Sequence, residues 1–399
     1  MENQGQDASR QSFNIGTHGL RGIASVMVFM AHLLGGTIEH IYESNAGYVE
    51  AMLPFWNFGT FGVDLFFLIS GFVILPSAIR YSVREFALRR FWRLYPLFLA
   101  FSVVFICLNA AINVEPTTNN WQAILSALTF MNIWTHTFQL TANAWSLTFE
   151  VWFYMMTAVG VVVVVRRPST IGRLALLLGI AAFLSRYPIA FWFLGGIVVR
   201  LLYDRYDFLK RPHPAMEVIF FGLTIYLASR GHYDYRWSDF ANPVVPMLIV
   251  ATTCYFAFSV SNRSITSRLL SNRVTMYLGT VSYSLYLLHP YTYVVVRKSF
   301  DYLGLFGPNI LVSDLLFFTA AALVTFPATH VVHRILERGP YEAVFSERVF
   351  GTGGKGAFWR RRAAGAPAMD GAGSAKPSPA VAPQTAMLRQ HIATPGQSG

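Results

Sequence analysis

The sequence predicts an all-α protein, a polytopic membrane helix bundle of about ten transmembrane helices with both termini in the cytoplasm. Three observations lead to this prediction. The 399-residue chain is 54% hydrophobic and only 13% charged, with a mean hydropathy of +0.43, whereas soluble domains carry about 25% charged residues. Long apolar runs recur up to about residue 335. The basic residues gather in alternate loops between these runs.

Ten apolar runs have lengths that suit membrane-crossing helices, because about 20 residues span the hydrocarbon core. They lie near 19–37, 58–79, 91–113, 144–165, 170–185, 188–203, 214–230, 243–261, 274–296 and 310–335. A further apolar stretch at 121–134 is too short for a span, and we expect an interfacial or re-entrant helix there.

The distribution of basic residues gives the chain its predicted orientation. If the ten runs are spans, 26 of the 31 lysines and arginines fall on the side that holds both termini. Positive charge gathers on the cytoplasmic side of membrane proteins. The net charge of +11 therefore reflects topology, and we expect no nucleic-acid partner. The two cysteines lie in apolar runs, so we also expect no metal site.

Three segments follow from this topology. Residues 1–17 form a cytoplasmic N-terminal segment and residues 18–340 form the membrane domain. Residues 341–399 form a cytoplasmic and largely disordered tail, because they are rich in Gly, Ala, Pro and Ser and contain too few apolar residues for a core.

Four ionisable residues lie inside the predicted spans. The topology places His32, Asp64, Glu150 and His289 together in the outer half of the membrane. Ionisable groups at such depth are costly and indicate a functional site by default. We expect them to line a polar cavity. Structural roles are the alternative: a hydrogen bond between helices for His32, local capping or pairing for Asp64, and, for His289, a bond to the backbone group that Pro290 frees.

The spacing of polar residues along two helices predicts which of them share a face. Arg21 and His32 are eleven residues apart, almost three full turns, which places them on one face about 16 Å apart along the axis. Ser146, Glu150 and Tyr154 follow one another at intervals of four residues and also share a face. The first helix therefore carries an arginine at the cytoplasmic surface and a histidine well inside.

A second group of arginines lies at the cytoplasmic start of the third span. Arg89, Arg90 and Arg93, with Arg21 nearby, would suit a phosphorylated ligand, because guanidinium groups bind phosphate oxygens in bidentate fashion. The positive-inside rule alone is the alternative explanation for these residues.

Five segments resemble the acyltransferase 3 family, multi-span membrane enzymes that O-acylate cell-surface carbohydrates. They are "GLRGIASVMVFMAH" (19–32), "FGVDLFFLISGFVI" (61–74), "RRFWRLYP" (89–96), "WSLTFEVWFY" (145–154) and "SYSLYLLHPY" (282–291). The resemblance runs from about residue 17 to 340. It implies that His32 is the essential catalytic residue, that acyl-CoA (acetyl-CoA by family preference) is the donor and that a carbohydrate or glycolipid is the acceptor.

The resemblance also implies roles for the other polar residues and a location. Arg21, Arg89, Arg90 and Arg93 would hold the phosphates of CoA at the cytoplasmic face. Glu150 or Asp64, or a backbone acceptor, would orient His32, with Ser146, Tyr154 and His289 in support. Direct attack and a covalent acyl-histidine relay both stay open. We expect an integral protein of the bacterial inner membrane.

Two other function classes fit parts of the pattern. A proton-coupled transporter of a glycan precursor would use the buried His, Asp and Glu groups as a proton relay. It would leave the arginine cluster without a role, and the chain shows no convincing internal repeat. A membrane scaffold would use the same groups only for packing.

Overall fold

The computed structural model describes residues 14–141 and 143–345. All regular elements among these residues are helical, so the predicted all-α class is confirmed. Residues 1–13 and 346–399 lie outside the described residues, and with them most of the predicted N-terminal segment and tail. The predicted cytoplasmic placement and disorder of those segments stay predictions.

The α-helices are numbered here in chain order. The first eight are α1 (Ile15–His40), α2 (Ala46–Thr60), α3 (Gly62–Arg80), α4 (Val83–Ile112), α5 (Trp121–Leu128), α6 (Asn132–Thr135), α7 (Ala144–Val161) and α8 (Thr170–Arg186). The others are α9 (Phe191–Arg205), α10 (Pro214–Ala228), α11 (Val244–Ser259), α12 (Ile265–Leu269), α13 (Arg273–Leu303), α14 (Ile310–Val332) and α15 (Gly339–Phe345). Two π-helical turns, Val162–Arg166 and His333–Arg338, extend α7 and α14. Short 3₁₀ turns lie at Pro116–Thr118, Pro188–Ala190, Asp207–Lys210 and Trp237–Ala241.

Each of the ten predicted spans coincides with a helix, and five helical stretches among the described residues are long and apolar enough to cross a membrane. These are Ile15–His40, Ala46–Arg80, Val83–Ile112, Ala144–Arg166 and Ile310–Phe345. Two shorter apolar helices are α10 and α11. The count of about ten crossings and the cytoplasmic termini stay predictions. The stretch at 121–134 forms only α5 and α6, of 8 and 4 residues, which are too short to cross a bilayer.

Polar side chains at their N-termini fix where the main helices begin. Asn14 accepts a hydrogen bond from the backbone N–H of Thr17 at the start of α1, and Asn272 accepts two at the start of α13. Ser82 caps α4 in the same way. Such caps satisfy N–H groups that have no partner inside the helix, so the starts of the two site-bearing helices are set by local sequence.

Glycines bring α1 and α13 into close contact. A Cβ atom on Gly22 would lie 2.6 Å from the backbone nitrogen of Gly279, and a Cβ atom on Gly36 would overlap Tyr293. Small residues allow helix backbones to approach in this way. The contacts pair positions at equal offsets, so the two helices run parallel. Ten residues beyond the Gly22–Gly279 contact, the same register places His32 beside His289.

Candidate active site

A large cavity opens at the end of the bundle that carries His32. Its volume is about 950 Å³, and we call it the outer cavity. Residues of α1, α2, α3, α13, the α8–α9 turn and the α10–α11 loop line it. Its aromatic lining residues include Trp56, Trp145, Tyr187, Tyr233, Trp237 and Tyr293. Ionisable lining residues include His32, Glu39, Asp64, Arg186, Asp234 and Arg236.

His32 is held in one tautomer by its own helix. Its Nδ1 lies 2.9 Å from the carbonyl oxygen of Val28. A carbonyl can only accept, so Nδ1 carries the proton and Nε2 of the neutral ring keeps its lone pair. Because His32 lines the outer cavity, this ring can act there as a base or a nucleophile.

His289 lies directly beside His32, with 4.7 Å between the ring centroids and an interplanar angle of 75°. Both of its nitrogens have partners. Nδ1 lies 2.9 Å from the carbonyl oxygen of Leu285, and Nε2 lies 3.1 Å from the side-chain nitrogen of Asn143, which donates to it. His289 is fully buried and packs edge-on against His32.

Asn143, and not His289, bonds to the backbone group that Pro290 frees. From the sequence, we considered this structural role for His289. Pro290 has no N–H group, so the carbonyl of Tyr286 one turn earlier loses its helical donor. The side chain of Asn143 donates to that carbonyl at 2.9 Å. The same amide also interacts with His32. Asn143 therefore holds both histidines and the proline site together.

Asp64 lines the outer cavity but has its own partner. Its Oδ2 accepts a hydrogen bond from the phenol of Tyr235 at 2.5 Å. Both side chains are buried. Burial and the adjacent Asp64 carboxylate hold the pKa of Tyr235 well above its ordinary value, so the phenol stays protonated and donates.

Glu150 lies in a separate small pocket of about 30 Å³, which we call the inner pocket. It accepts hydrogen bonds from Ser70 at 2.9 Å and from Tyr154. Arg21 and Ser146 line the same pocket. The predicted shared face of Ser146, Glu150 and Tyr154 is thus confirmed.

The prediction that all four ionisable groups lie at one depth is wrong for Glu150. Ser70, which donates to Glu150, is six residues beyond Asp64 on α3, about 9 Å along the axis. Glu150 therefore lies closer to Arg21 than the sequence suggested. Neither carboxylate orients His32 in this arrangement, because Glu150 and Asp64 bond elsewhere and the Val28 carbonyl holds the ring.

Three of the four predicted arginines gather near the inner pocket. Arg21 interacts electrostatically with Arg93 and with Glu150, and Arg90 interacts with Arg93. The Nε atoms of Arg21 and Arg90 are buried and have no hydrogen-bond partner among the described residues. Arg90 donates to Ser77 at 2.9 Å. Buried guanidinium donors without acceptors suit an anionic ligand.

Arg89 does not belong to this group. It forms an ion pair with Glu85 at 2.9 Å, donates to Tyr341 at 3.3 Å and lies 4.3 Å from the ring centroid of Tyr81. A guanidinium with a carboxylate partner is already neutralised, so the prediction that Arg89 holds phosphate is not supported by its surroundings.

Two residues, Val63 and Tyr286, line both the outer cavity and the inner pocket. The phenol oxygen of Tyr286 lies 2.6 Å from the hydroxyl of Ser146, and it donates to the carbonyl of Asn143 at 3.1 Å. The Ser146–Tyr286 pair therefore lies at the boundary between the two compartments.

Sequence reasoning missed three residues of this interior. Asn143 carried a weak signal, because asparagine before a helix is typical of an N-cap. Tyr235 lies in a loop and carried none. Glu337 is buried, accepts from Ser284 at 2.6 Å, pairs with His333 at 2.9 Å and interacts with Arg21. It lies in a segment that we interpreted only as the basic end of the last span.

Comparison with known proteins gives two findings. A family model described as an acyltransferase domain matches residues 14–334. Acyltransferase MdmB of Streptomyces mycarofaciens is 31% identical over 144 residues, which are 34% of this chain and 36% of that protein. The matched segment thus spans about a third of the curated relative. No solved structure matches the chain.

Proposed function

Because this chain belongs to the acyltransferase 3 family and is a transferase, we propose that it moves an acyl group, preferably acetyl, from acyl-CoA to a hydroxyl of a carbohydrate. One observation carries the proposal. Helix α1 presents the lone pair of His32 to the outer cavity at one end and Arg21, with an unpaired donor, at the other.

The donor binds, in this proposal, with its phosphates against Arg21, Arg90 and Arg93. The first two carry buried Nε–H groups without acceptors among the described residues. Charge-assisted bonds to phosphate are among the stronger ones available to a protein. The narrow pantetheine arm then enters by way of the inner pocket, which residues of α1, α3, α7 and α13 line, and brings the thioester to His32.

The acceptor binds in the outer cavity. Aromatic walls with a few convergent polar groups are typical of small-molecule sites. The faces of Trp56 and Trp145 offer apolar contact for a sugar ring, and Glu39 and Asp234 offer acceptors for its hydroxyls. The cavity volume of about 950 Å³ accommodates a sugar or the head of a glycolipid.

His32 acts on the acceptor through Nε2. It takes the hydroxyl proton while the oxygen forms a bond to the thioester carbon, the carbon–sulfur bond breaks, and the imidazolium returns the proton to the departing thiolate. A relay in which Nε2 first takes the acyl group and then passes it to the hydroxyl uses the same atom. The products are an O-acyl carbohydrate and free CoA in both routes.

Glu150 has a supporting electrostatic role in this proposal. Its carboxylate fixes Ser70 and Tyr154 and balances the charge of Arg21. Because Glu150 balances part of its charge, Arg21 keeps its remaining donors directed toward the ligand. We place the enzyme in the bacterial inner membrane, with an exported carbohydrate as acceptor.

The test is release of free thiol by the purified full-length protein in detergent, supplied with acetyl-CoA and a panel of glycans or glycolipids. We expect acceptor-dependent thiol release and a mass increase of about 42 Da on the glycan, the mass of an acetyl group less the hydrogen that it replaces. His32→Ala protein that elutes like wild type should release none above background. Glycan uptake into vesicles without any thiol release would support the transporter and contradict the proposal.

A further inference from the structure

One loop supplies a whole wall of the outer cavity. The segment 232–237 lies between α10 and α11, and all six of its residues line the cavity. It carries the polar groups of His232, Asp234 and Arg236 and the ring of Trp237. We call this segment the wall loop. Its position decides which groups meet an acceptor.

The wall loop is fixed at its centre by Tyr235. This residue has a φ of +55°, a left-handed conformation that is a genuine outlier for a bulky side chain. Its phenol donates to Asp64 at 2.5 Å, and its ring meets Trp192 edge-on at 5.9 Å and 90°. Strained backbone persists only where its surroundings over-determine it, so these contacts hold the loop in place.

The remaining anchors of the loop lie at its sides. Asn57 donates to the carbonyl of Ser229 at 3.2 Å, and Trp237 donates to the carbonyl of Ser185 at 2.6 Å. His232 lies 3.0 Å from the hydroxyl of Thr60. These contacts are partly or fully exposed, whereas the Asp64–Tyr235 bond is buried. Water competes least with the buried bond.

We propose that Asp64 is a positioning residue rather than a catalytic one. Through Tyr235 it holds the wall loop as the surface that selects the acceptor, so acceptor specificity resides in residues 232–237. The inference rests on the proposed function for its substrate and replaces the role of orienting His32 that we considered for Asp64 from the sequence. His32 receives nothing from Asp64, because its tautomer is set by Val28.

The first test needs no substrate. Arg230 and Arg236 are exposed sites for trypsin in and beside the wall loop. In full-length protein in detergent, we expect Tyr235→Phe and Asp64→Ala to accelerate cleavage at these two arginines up to about tenfold, the upper end of the scale for loss of one hydrogen bond between neutral groups. Tyr302→Phe, at a residue that is 90% exposed, should match wild type. Unchanged cleavage in both variants would overturn the proposal.

The second test separates positioning from catalysis. Asp64→Asn keeps a carbonyl oxygen that can accept from Tyr235, so it should stay near wild type. Asp64→Ala and Tyr235→Phe should raise the acceptor KM about tenfold with kcat and donor KM little changed. The double variant Asp64→Ala/Tyr235→Phe should be no worse than either single variant, because both remove one bond.

The outcomes distinguish this inference from the proposed function. If Asp64→Asn abolishes kcat while Tyr235→Phe does not, Asp64 acts directly and the positioning role is wrong. If wild type transfers no acyl group to any glycan, the proposed function fails, whereas the trypsin result still decides whether Asp64 and Tyr235 hold the loop.

Discussion

The two polar compartments of this protein differ in size and in the state of their charges. The outer cavity of about 950 Å³ is broad and aromatic, and the ring of its lining residue His32 is held by the carbonyl oxygen of Val28. The inner pocket of about 30 Å³ is narrow and lies among arginines and a carboxylate. In the proposed function, the reaction and the recognition of the charged donor therefore take place apart, at His32 and at Arg21 along α1.

This difference has a physical reason. A base must keep a free lone pair, which requires a neutral ring and a fixed tautomer. An anion site requires guanidinium groups that stay charged and keep unpaired donors. Nearby cations would disfavour protonation of a histidine during turnover. About 16 Å of helix and the Ser146–Tyr286 contact lie between the His32 ring and the arginine site.

The largest effect is expected from a variant that impairs only the outer cavity. His32→Ala removes the lone pair that faces the cavity, so we expect acyl transfer to fall by at least 10²–10⁴-fold, the range for loss of a general base. Affinity for acetyl-CoA should change little, because the arginines are untouched. Near-normal glycan acylation by a well-expressed variant would contradict the role of His32.

A second variant impairs only the arginine group near the inner pocket. Arg90→Ala removes a buried guanidinium with an unpaired Nε, and we expect the donor KM to rise about 10- to 150-fold, from about 1.5–3 kcal/mol per charge-assisted bond. Arg90→Lys should recover only part, because an ammonium cannot form two parallel bonds. Binding should be measured calorimetrically at two salt concentrations.

Arg89→Ala is the matched control for that experiment. Arg89 is adjacent in sequence but is paired with Glu85, so we expect donor affinity close to wild type. Equal losses in both variants would mean that the whole basic run acts non-specifically. Wild-type affinity in both would place the donor elsewhere.

A smaller effect is expected when the negative charge near Arg21 is removed. Glu150→Gln keeps the volume and one acceptor for Ser70 and Tyr154 but removes the charge near Arg21. We expect kcat to fall about tenfold, on the scale of one bond to a charged group, while the donor KM does not rise. A steady-state split of kcat and KM provides the measurement. Equal loss of expression and activity would mark Glu150 as a packing residue.

The smallest effect concerns the boundary between the compartments. Tyr286→Phe removes the hydroxyl that contacts Ser146, a neutral bond worth about 0.5–1.5 kcal/mol. We expect hydrolysis of acetyl-CoA without acceptor to rise about 2- to 10-fold, because the passage opens to water from the outer cavity. The thiol assay without glycan measures this. An unchanged hydrolysis rate would mean that Tyr286 does not close the passage.

Helical periodicity predicted part of the site correctly. Arg21 and His32 lie on one uninterrupted helix, α1, and Ser146, Glu150 and Tyr154 share one face of α7. These relations depend only on the fixed rotation and rise of a helix. The depth of each ionisable residue in the bundle was predicted less well, because it depends on where each helix begins. α3 begins at Gly62 rather than near 58, which leaves Asp64 in its first turn, six residues from Ser70, the partner of Glu150, or about 9 Å along the axis.

The sequence by itself determined the helical class, the apolar runs, the family motifs and the residues that share a helix face, because these properties are local or depend on composition. Only the tertiary structure decided the partners. It placed His289 beside His32, paired Asp64 with Tyr235 and directed Arg90 to Ser77. Contacts such as Asp64–Tyr235 join residues 171 positions apart. They arise from how helices pack at glycine contacts and how loops fold back, which no local periodicity encodes.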